Sequence, residues 1–582
     1  MILKALYDYY NRSGDTIAPM GMAYIDFYYA IIIDELGNFI RLEPLGGKNG
    51  LPLLTLRPEE RTSVPVPHCM GDNGSYVLGL KDVKDKYEFD YEKEIKANKK
   101  QLDSFKQDID NIYKILPKNS YANAVLHFYT KYGLKTIMRM RNDNHWSDFI
   151  KFLSKNITFG IEGESGYAAC DYEIITEKIR KVVNNNKEAI CLVTGIKNRP
   201  VNTTYSSFIV GGKSNAKLVS FQISSGYDSY GKKMGLNAPI SQEAEFKYTT
   251  ALLQLLSRNS HNKFRVGNRT FLFWASSNNQ AAEQAEESLF DLVGFSDDNT
   301  DDPNAKIEQV KKVFTSIYSG SLKTNLDDRF YILGLAPNSA RIAVVYWSET
   351  SLKDFAGKIL QHFSDMELID TRKDKKPYMG IKDMLSAVTL NGKQSEATPN
   401  LPEAIIKSIF QGLPYPYTLF SACIRRLRAE SGDKGGIRIG RMAILKAYLN
   451  RTNDNNNKKI ENMLDKSNTN QGYLCGRLFA TLDRIQEDAN GITSIRERYM
   501  NAASSTPASV FATILNLSSH HMENLSNEGK KVFYEKIKQE IIDKISANGF
   551  PAHLDLQDQG RFFVGYYHQK QAFFTKKDES ND

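Results

Sequence analysis

Leu192-Val-Thr-Gly195, Tyr205-Ser-Ser-Phe-Ile-Val-Gly-Gly-Lys-Ser214, Leu218-Val-Ser-Phe221, Tyr227-Asp-Ser-Tyr-Gly231 and Gly235-Leu-Asn-Ala-Pro-Ile-Ser241 follow one another, and a helical pattern starts at Glu243. The reading is three short β-type runs, separated by glycine and small polar residues, leading into a helix. The loops between them supply backbone N–H groups, hydroxyls and lysines, with no obvious catalytic carboxylate or histidine. Such loops suit a phosphate backbone or another protein's main chain better than they suit bond-breaking chemistry.

Outward from this stretch, strand and helix patterns mix without regular alternation. Residues 1–11 read as an amphipathic helix. Ala30-Ile-Ile-Ile33, Asp34-Glu-Leu-Gly37 and Phe39-Ile40 read as a hairpin. Asp85 to about Lys118 is helical, with Phe105, Ile109, Ile112 and Leu116 on the apolar face. Ala122–Tyr132 and Trp146–Leu153 continue helically. Thr270–Ala275, Phe330–Gly334 and Ala340–Trp347 read as strands, and 279–292, 303–318 and Ser351–Met366 as helices. Ser351 with Asp354 has the spacing of a capping box. From Leu401 onward every periodic segment reads as helix. The expected fold class is therefore α+β: a mixed α/β N-terminal body over 1–400, a basic helical connector over 401–457 and a C-terminal helical bundle over 458–582. Asn453-Asp-Asn-Asn-Asn457 is the best linker candidate.

At 582 residues the chain exceeds one core, and its 11% aromatic content supplies many rings for packing or base stacking. No apolar run approaches the ~20 residues of a membrane span, and the start has no secretory pattern. Five cysteines (Cys69, Cys170, Cys191, Cys423, Cys475) are scattered, without zinc-finger spacing. Disulfides and structural zinc are not expected, and a reducing cytoplasm fits. The net charge is +8, but from Thr452 onward 16 basic residues face 17 acidic ones, so residues 1–451 carry +9. A basic body with a near-neutral C-terminal part points to a polyanion for the first and protein for the second.

Several motifs have bland readings. Gly211-Gly-Lys-Ser214 lacks the first P-loop glycine, whose position is Ser207. Asp297, Asn299, Asp301 and Glu308 have calcium-loop spacing, but Asp302 replaces the required glycine and makes an N-cap before Pro303. His520, His521, His553 and His568 show no ligand spacing. Glu162, Glu164, Asp171 and Glu173 read as turn and helix-start charges. No cofactor and no metal are expected. The basic segment after Cys423 is stronger: Arg425, Arg426, Arg428, Lys434, Arg438, Arg441, Lys446 and Arg451 face only Glu430 and Asp433. Arginine forks grip phosphates bidentately; the alternative is a helix face paired to acidic neighbours.

Blocks along the first three quarters of the chain carry a family resemblance. They include Arg61-Thr-Ser63, Asp72-Asn73 with Tyr76-Val-Leu-Gly79, Val193-Thr-Gly195, Ser229-Tyr-Gly231, Gly235-Leu-Asn-Ala-Pro239, Tyr248-Thr-Thr-Ala251 and Phe330-Tyr-Ile-Leu-Gly-Leu-Ala-Pro337. The chain resembles the large subunit of type I-C CRISPR surveillance complexes (Cascade). It departs from the family at Val64, where glycine is usual, and at Ser214-Asn-Ala216, where Ser-Ser-Gly is common.

The resemblance implies a non-catalytic, cytoplasmic subunit that recognises the protospacer-adjacent motif (PAM) in duplex DNA and promotes R-loop formation. It also implies that the subunit stabilises the displaced strand and helps recruit a trans-acting helicase-nuclease. The implied partners are the crRNA-containing handle-binding and backbone subunits, target DNA and the displaced single strand, with no membrane. Arg61, Thr62, Ser63, Asp72 and Asn73 are assigned to the PAM region, with a structural Arg61–Asp72 pair as the alternative. Lys213, Ser214, Lys232, Lys233 and Asn237 are assigned to phosphate, and Arg425, Arg426, Arg428, Arg438 and Arg441 to the path of a separated strand. The family further implies a separately made small subunit, here starting at Met463 just after the asparagine-rich break, with Met442, inside a predicted helix, as the alternative start. The rival readings are a nuclease or crRNA-processing enzyme and a pure assembly scaffold.

Overall fold

The computed structural model describes residues 1–582 except 62–63, 85–88, 182–183, 185, 223–227, 293–302, 372–379, 394–395, 399, 431–437, 453–457, 492–493 and 576–582. The chain divides into two compact units. The first comprises 1–257 with 338–342, and the second 258–337 with 343–582.

The first unit is built on one long strand. β1 (Met22–Ile33) pairs antiparallel through its second half with β2 (Phe39–Pro44) and through its first half with β3 (Leu51–Leu56). Its other edge runs parallel to β5 (Asn156–Ile161), and the short β4 (Gly71–Asn73) closes the sheet antiparallel to β5. Alternation from Tyr29 to Ile33 feeds two cores, and a register irregularity between Phe27 and Tyr29 puts Phe27 with the even-numbered set. Tyr29, Ile31 and Ile33 pack with Phe105, Ile109, Val125 and Phe128 from the helices Lys99–Ile115 and Ser120–Lys131. Phe27, Ala30 and Ile32 form a smaller core with Leu45 and Ala169. The hairpin turns on Asp34, whose carboxylate accepts the Asn38 N–H at 2.7 Å. Gly37 has φ +77°, and a Cβ there would lie 2.2 Å from the Phe128 nitrogen, so only glycine fits.

The expected three β-type runs do not form as read. Among the described residues the named strands here are the two-residue β6 (Ala189–Ile190) and β7 (Lys197–Asn198), which pair with Leu192–Gly195 as the turn between them, and single bridges link Pro200 to Ser241 and Lys217 to Arg341. Residues 205–210 and 218–221 are irregular. Several of their polar groups bond within the loop instead: Ser207 N–H donates to Ala216 O at 2.7 Å, Gly212 N–H to Ile209 O at 2.9 Å, and the Thr204 hydroxyl to Val219 O. Hydroxyls and glycines thus compete successfully with a strand ladder. The following helix is as expected, Gln242–Leu256, with Ser241 Oγ accepting the Ala244 N–H.

The second unit contains a four-stranded sheet of order β11-β10-β9-β8, from β8 (Lys263–Val266), β9 (Arg269–Ala275), β10 (Arg329–Asn338) and β11 (Arg341–Ser351). Phe271, Phe273, Phe330, Ile332 and Tyr346 form one continuous core with the helices that follow. Ser351 caps Leu352–Met366 and bonds Asp354, as the capping-box spacing predicted. From Leu401 to Ala572 every regular element among the described residues is helical. The fold is thus mixed α/β at the N-terminal side and helical at the C-terminal side. The helix Leu556–Ala572 is one the periodicity did not single out. Gln559 through Gln569 are all buried, so it has no polar stripe to read.

Candidate nucleic-acid interface

Asp72 lies on the three-residue β4 and is fully buried. Its carboxylate is held by the Arg61 guanidinium and accepts N–H bonds from His68 (2.8 Å) and Asn73 (2.7 Å). Arg61 also stacks 4.2 Å over the Tyr76 ring and donates to Val66 O at 3.0 Å. The structural pairing of Arg61 with Asp72, left open by the sequence, is therefore present. A carboxylate so occupied has no free edge for a base. Asn73 Oδ1 caps the short helix Gly74–Val77 through Ser75 N–H at 3.1 Å, and its amide NH₂ has no protein partner among the described residues. Thr62 and Ser63 lie outside the described residues.

Next to this loop the first unit carries a cleft of about 690 Å³. Arg61 and His68 line one side, Tyr205, Phe208, Ser214 and Asn215 another, and Tyr24, Thr250 and Gln254 complete it. Arg61 and Ser214, assigned to different groups by the sequence, thus meet at one site. The segment 57–61 anchors the loop above it. Arg57 makes a two-pronged ion pair with the buried Glu245 (3.0 and 3.2 Å) and stacks 4.0 Å over Tyr205. Glu245 also accepts the Tyr205 N–H at 2.9 Å, and Glu60 accepts Ser206 N–H and Oγ–H at 2.6 and 2.9 Å. Lys213 and Ser214 project from this loop and are exposed. Burial pushes the His68 imidazole below the ordinary histidine range, against the Asp72 charge, so it is neutral near pH 7.

Asn237 belongs to a second cleft, lined also by Lys217, Phe221 and Asp228. Its side chain is spent on its own loop: it accepts the Ser229 N–H at 3.2 Å and donates to Asp228 at 2.9 Å. The loop so braced presents Lys232 and Lys233, both exposed, beside Tyr230, which is 98% exposed.

The arginine cluster separates into two kinds. On the helix Tyr417–Ala429, Arg425 is exposed and Arg428 half-buried, and Arg438 is exposed before the helix Ile439–Arg451. Arg426 instead pairs with Glu430, and Arg441 is 1% exposed, donating to Glu430 at 2.6 Å and Ala387 O at 2.8 Å. The Glu430 carboxyl is held below its ordinary range: its two arginines outweigh the cost of burial. Lys446 is buried as well, donating to Glu367 O and Asn462, and Arg451 binds Asp365.

Among the described residues no group of three His, Cys, Asp or Glu side chains is placed to hold a metal. Asp297, Asn299 and Asp301 fall outside them. His568 is buried against Tyr473, and Asp171 caps Tyr172–Arg180. No helix among them is long and apolar enough to cross a membrane, and all five cysteines are free.

The sequence reading missed Tyr24, His68, Tyr205, Phe208, Asn215 and Gln254. The one local signal was Phe208-Ile-Val210, in which Phe208 and Val210 face out and Ile209 is buried, so two apolar side chains are left exposed beside Gly211. Residues 6–574 match the family model described as CRISPR-associated protein (Cas_Csd1). No curated protein matches the chain.

Proposed function

Because the chain belongs to the CRISPR-associated Cas_Csd1 family, the large subunits of type I-C Cascade, we propose that it recognises the PAM in duplex DNA, helps open it and guides the displaced strand, without catalysis of its own. Arg61 and Asp72 act here as the brace of the PAM-side loop, and Asn73 offers its free amide to a base edge. Lys213, Ser214, Lys232 and Lys233 meet phosphates. Arg425, Arg428 and Arg438 follow the separated strand, whereas Arg426 and Arg441 hold the helices that carry them. The crRNA-bearing subunits and the helicase-nuclease are the protein partners. Residues from Met463 onward serve as a small-subunit-like bundle.

The observation that supports this best is the convergence of Arg61, His68 and Ser214 on one cleft that also exposes the rings of Tyr24 and Phe208, with the exposed Lys213 next in sequence to Ser214. Phosphate contacts position such a protein and a few base contacts specify. The test is salt-titrated binding of the assembled complex to PAM and non-PAM duplexes. Lys213→Ala with Arg425→Ala should weaken binding to both and flatten the salt slope by about one per lost phosphate contact. An unchanged slope would remove the phosphate assignments.

A further inference from the structure

We propose that the 690 Å³ cleft is a receptacle for one unpaired nucleobase, extruded from the DNA the protein binds. This rests on the DNA-binding reading above but adds a site and a ligand class to it. The volume lies within the ~300–1,000 Å³ typical of small-molecule sites. Two aromatic side chains at the cleft leave ring surface exposed: Phe208 at 55%, which has no polar group to call for water, and Tyr24 at 51%, whose hydroxyl is the only polar part of its side chain. A base face covers such rings without regard to sequence.

The charge balance inside decides which part of a nucleotide enters. Arg57 is matched by Glu245, and Arg61 by Asp72. Glu60 is occupied by Ser206 and Lys217, and Glu59 adds an exposed carboxylate. Among the described residues that line it no cation is unmatched, so a phosphate would be repelled there. A neutral planar ring would not be. The polar groups left over suit a base edge. His68 lines the cleft, although its Nδ1, which has no hydrogen-bond partner, is itself covered by protein. The side-chain amides of Asn215 and Gln254 have none among the described residues. Glu59 can accept from an exocyclic amino group. The matching phosphate stays outside, next to Lys213. Unstacking one base is repaid by stacking on protein rings, and the vacated step lowers the cost of opening the next pairs.

The test uses the complex assembled with full-length chain and a series of PAM-containing duplexes in which each nucleotide in turn, on either strand, is replaced by an abasic site. One position should lose about tenfold in affinity, the scale of a single base stacked on an aromatic side chain. Phe208→Ala and Tyr24→Ala, both changes at exposed positions, should weaken binding to intact DNA by a similar factor. In those variants the abasic penalty at that position should vanish, because the lost contact is the same one. If the penalty persists unchanged in both variants, or no position shows one, while PAM preference and salt slope stay normal, the receptacle is wrong and the DNA-binding reading stands. If the complex shows no PAM preference at all, the broader reading falls and the receptacle with it.

Discussion

Arg61 and Asp72 form an ion pair in which the aspartate side chain is fully buried and the arginine side chain is 31% exposed. Removing the arginine leaves a buried charge with only two backbone N–H partners. Arg61→Ala should therefore destabilise the chain by about 1–3 kcal/mol. Arg61→Lys, which keeps the charge but not the second donor to Val66 or the flat stack on Tyr76, should cost less. Urea unfolding of the two variants checks the order. If Arg61→Ala weakens DNA binding with no loss of stability, the brace is not its role.

Stability should fall below pH 6.5 because of His568. Burial, with Lys446 nearby, lowers its imidazole to about 3, while Asp465 acts weakly in the other direction. The unfolded chain then binds a proton that the folded chain refuses between about pH 6.5 and 3. The unfolding free energy should drop by ~1.4 kcal/mol per pH unit in that window from this group alone. Subtracting the pH profile of His568→Asn from the native one isolates the slope. A flat difference between pH 6 and 4 would reject it.

Gly476 and Gly565 let the helices Gln471–Asn490 and Leu556–Ala572 touch backbone to backbone. A Cβ on Gly476 would lie 1.9 Å from Phe562 O, and one on Gly565 would lie 2.3 Å from Tyr473 O. A carbonyl in a buried helix cannot swing away as a side-chain tip can. Gly476→Ala should cost at least the ~1–3 kcal/mol of ordinary overpacking despite alanine's better helix propensity. Thermal melting measures this; a neutral or stabilising outcome would contradict the close approach.

The small-subunit proposal predicts a second product. Met463 is 58% exposed in the segment ahead of the helix Gln471–Asn490. A C-terminal epitope should reveal a fragment of 463–582 alongside the full chain in expressing cells. Met463→Leu, a change at a surface position, should remove the fragment and leave the full chain. Persistence of the same band would exclude this start.

Short-range chemistry was legible from the residues. Asp34 to Asn38 made the expected turn, Ser351 and Asp354 the expected cap, and the 3.6-residue pattern at Phe105, Ile109 and Ile112 the expected buried face. Each of these involves partners within a few positions, so spacing specifies it. The loop 205–221 was not legible as structure. Its anchors are Glu60 and Glu245, 146 and 40 residues from their partners, and no local pattern encodes them.

By itself the sequence determined the family, the helical ends and hairpins, and the supply of phosphate-friendly side chains. Only the tertiary structure decided which of those side chains keep a polar group unbonded among the described residues. Asp72, Asn237, Arg426 and Arg441 look alike on paper to Asn73, Lys213, Arg425 and Arg438. The first four are consumed because a polar or charged group removed from water must find a partner inside. Which groups leave water is set by how distant segments pack, not by the residues beside them.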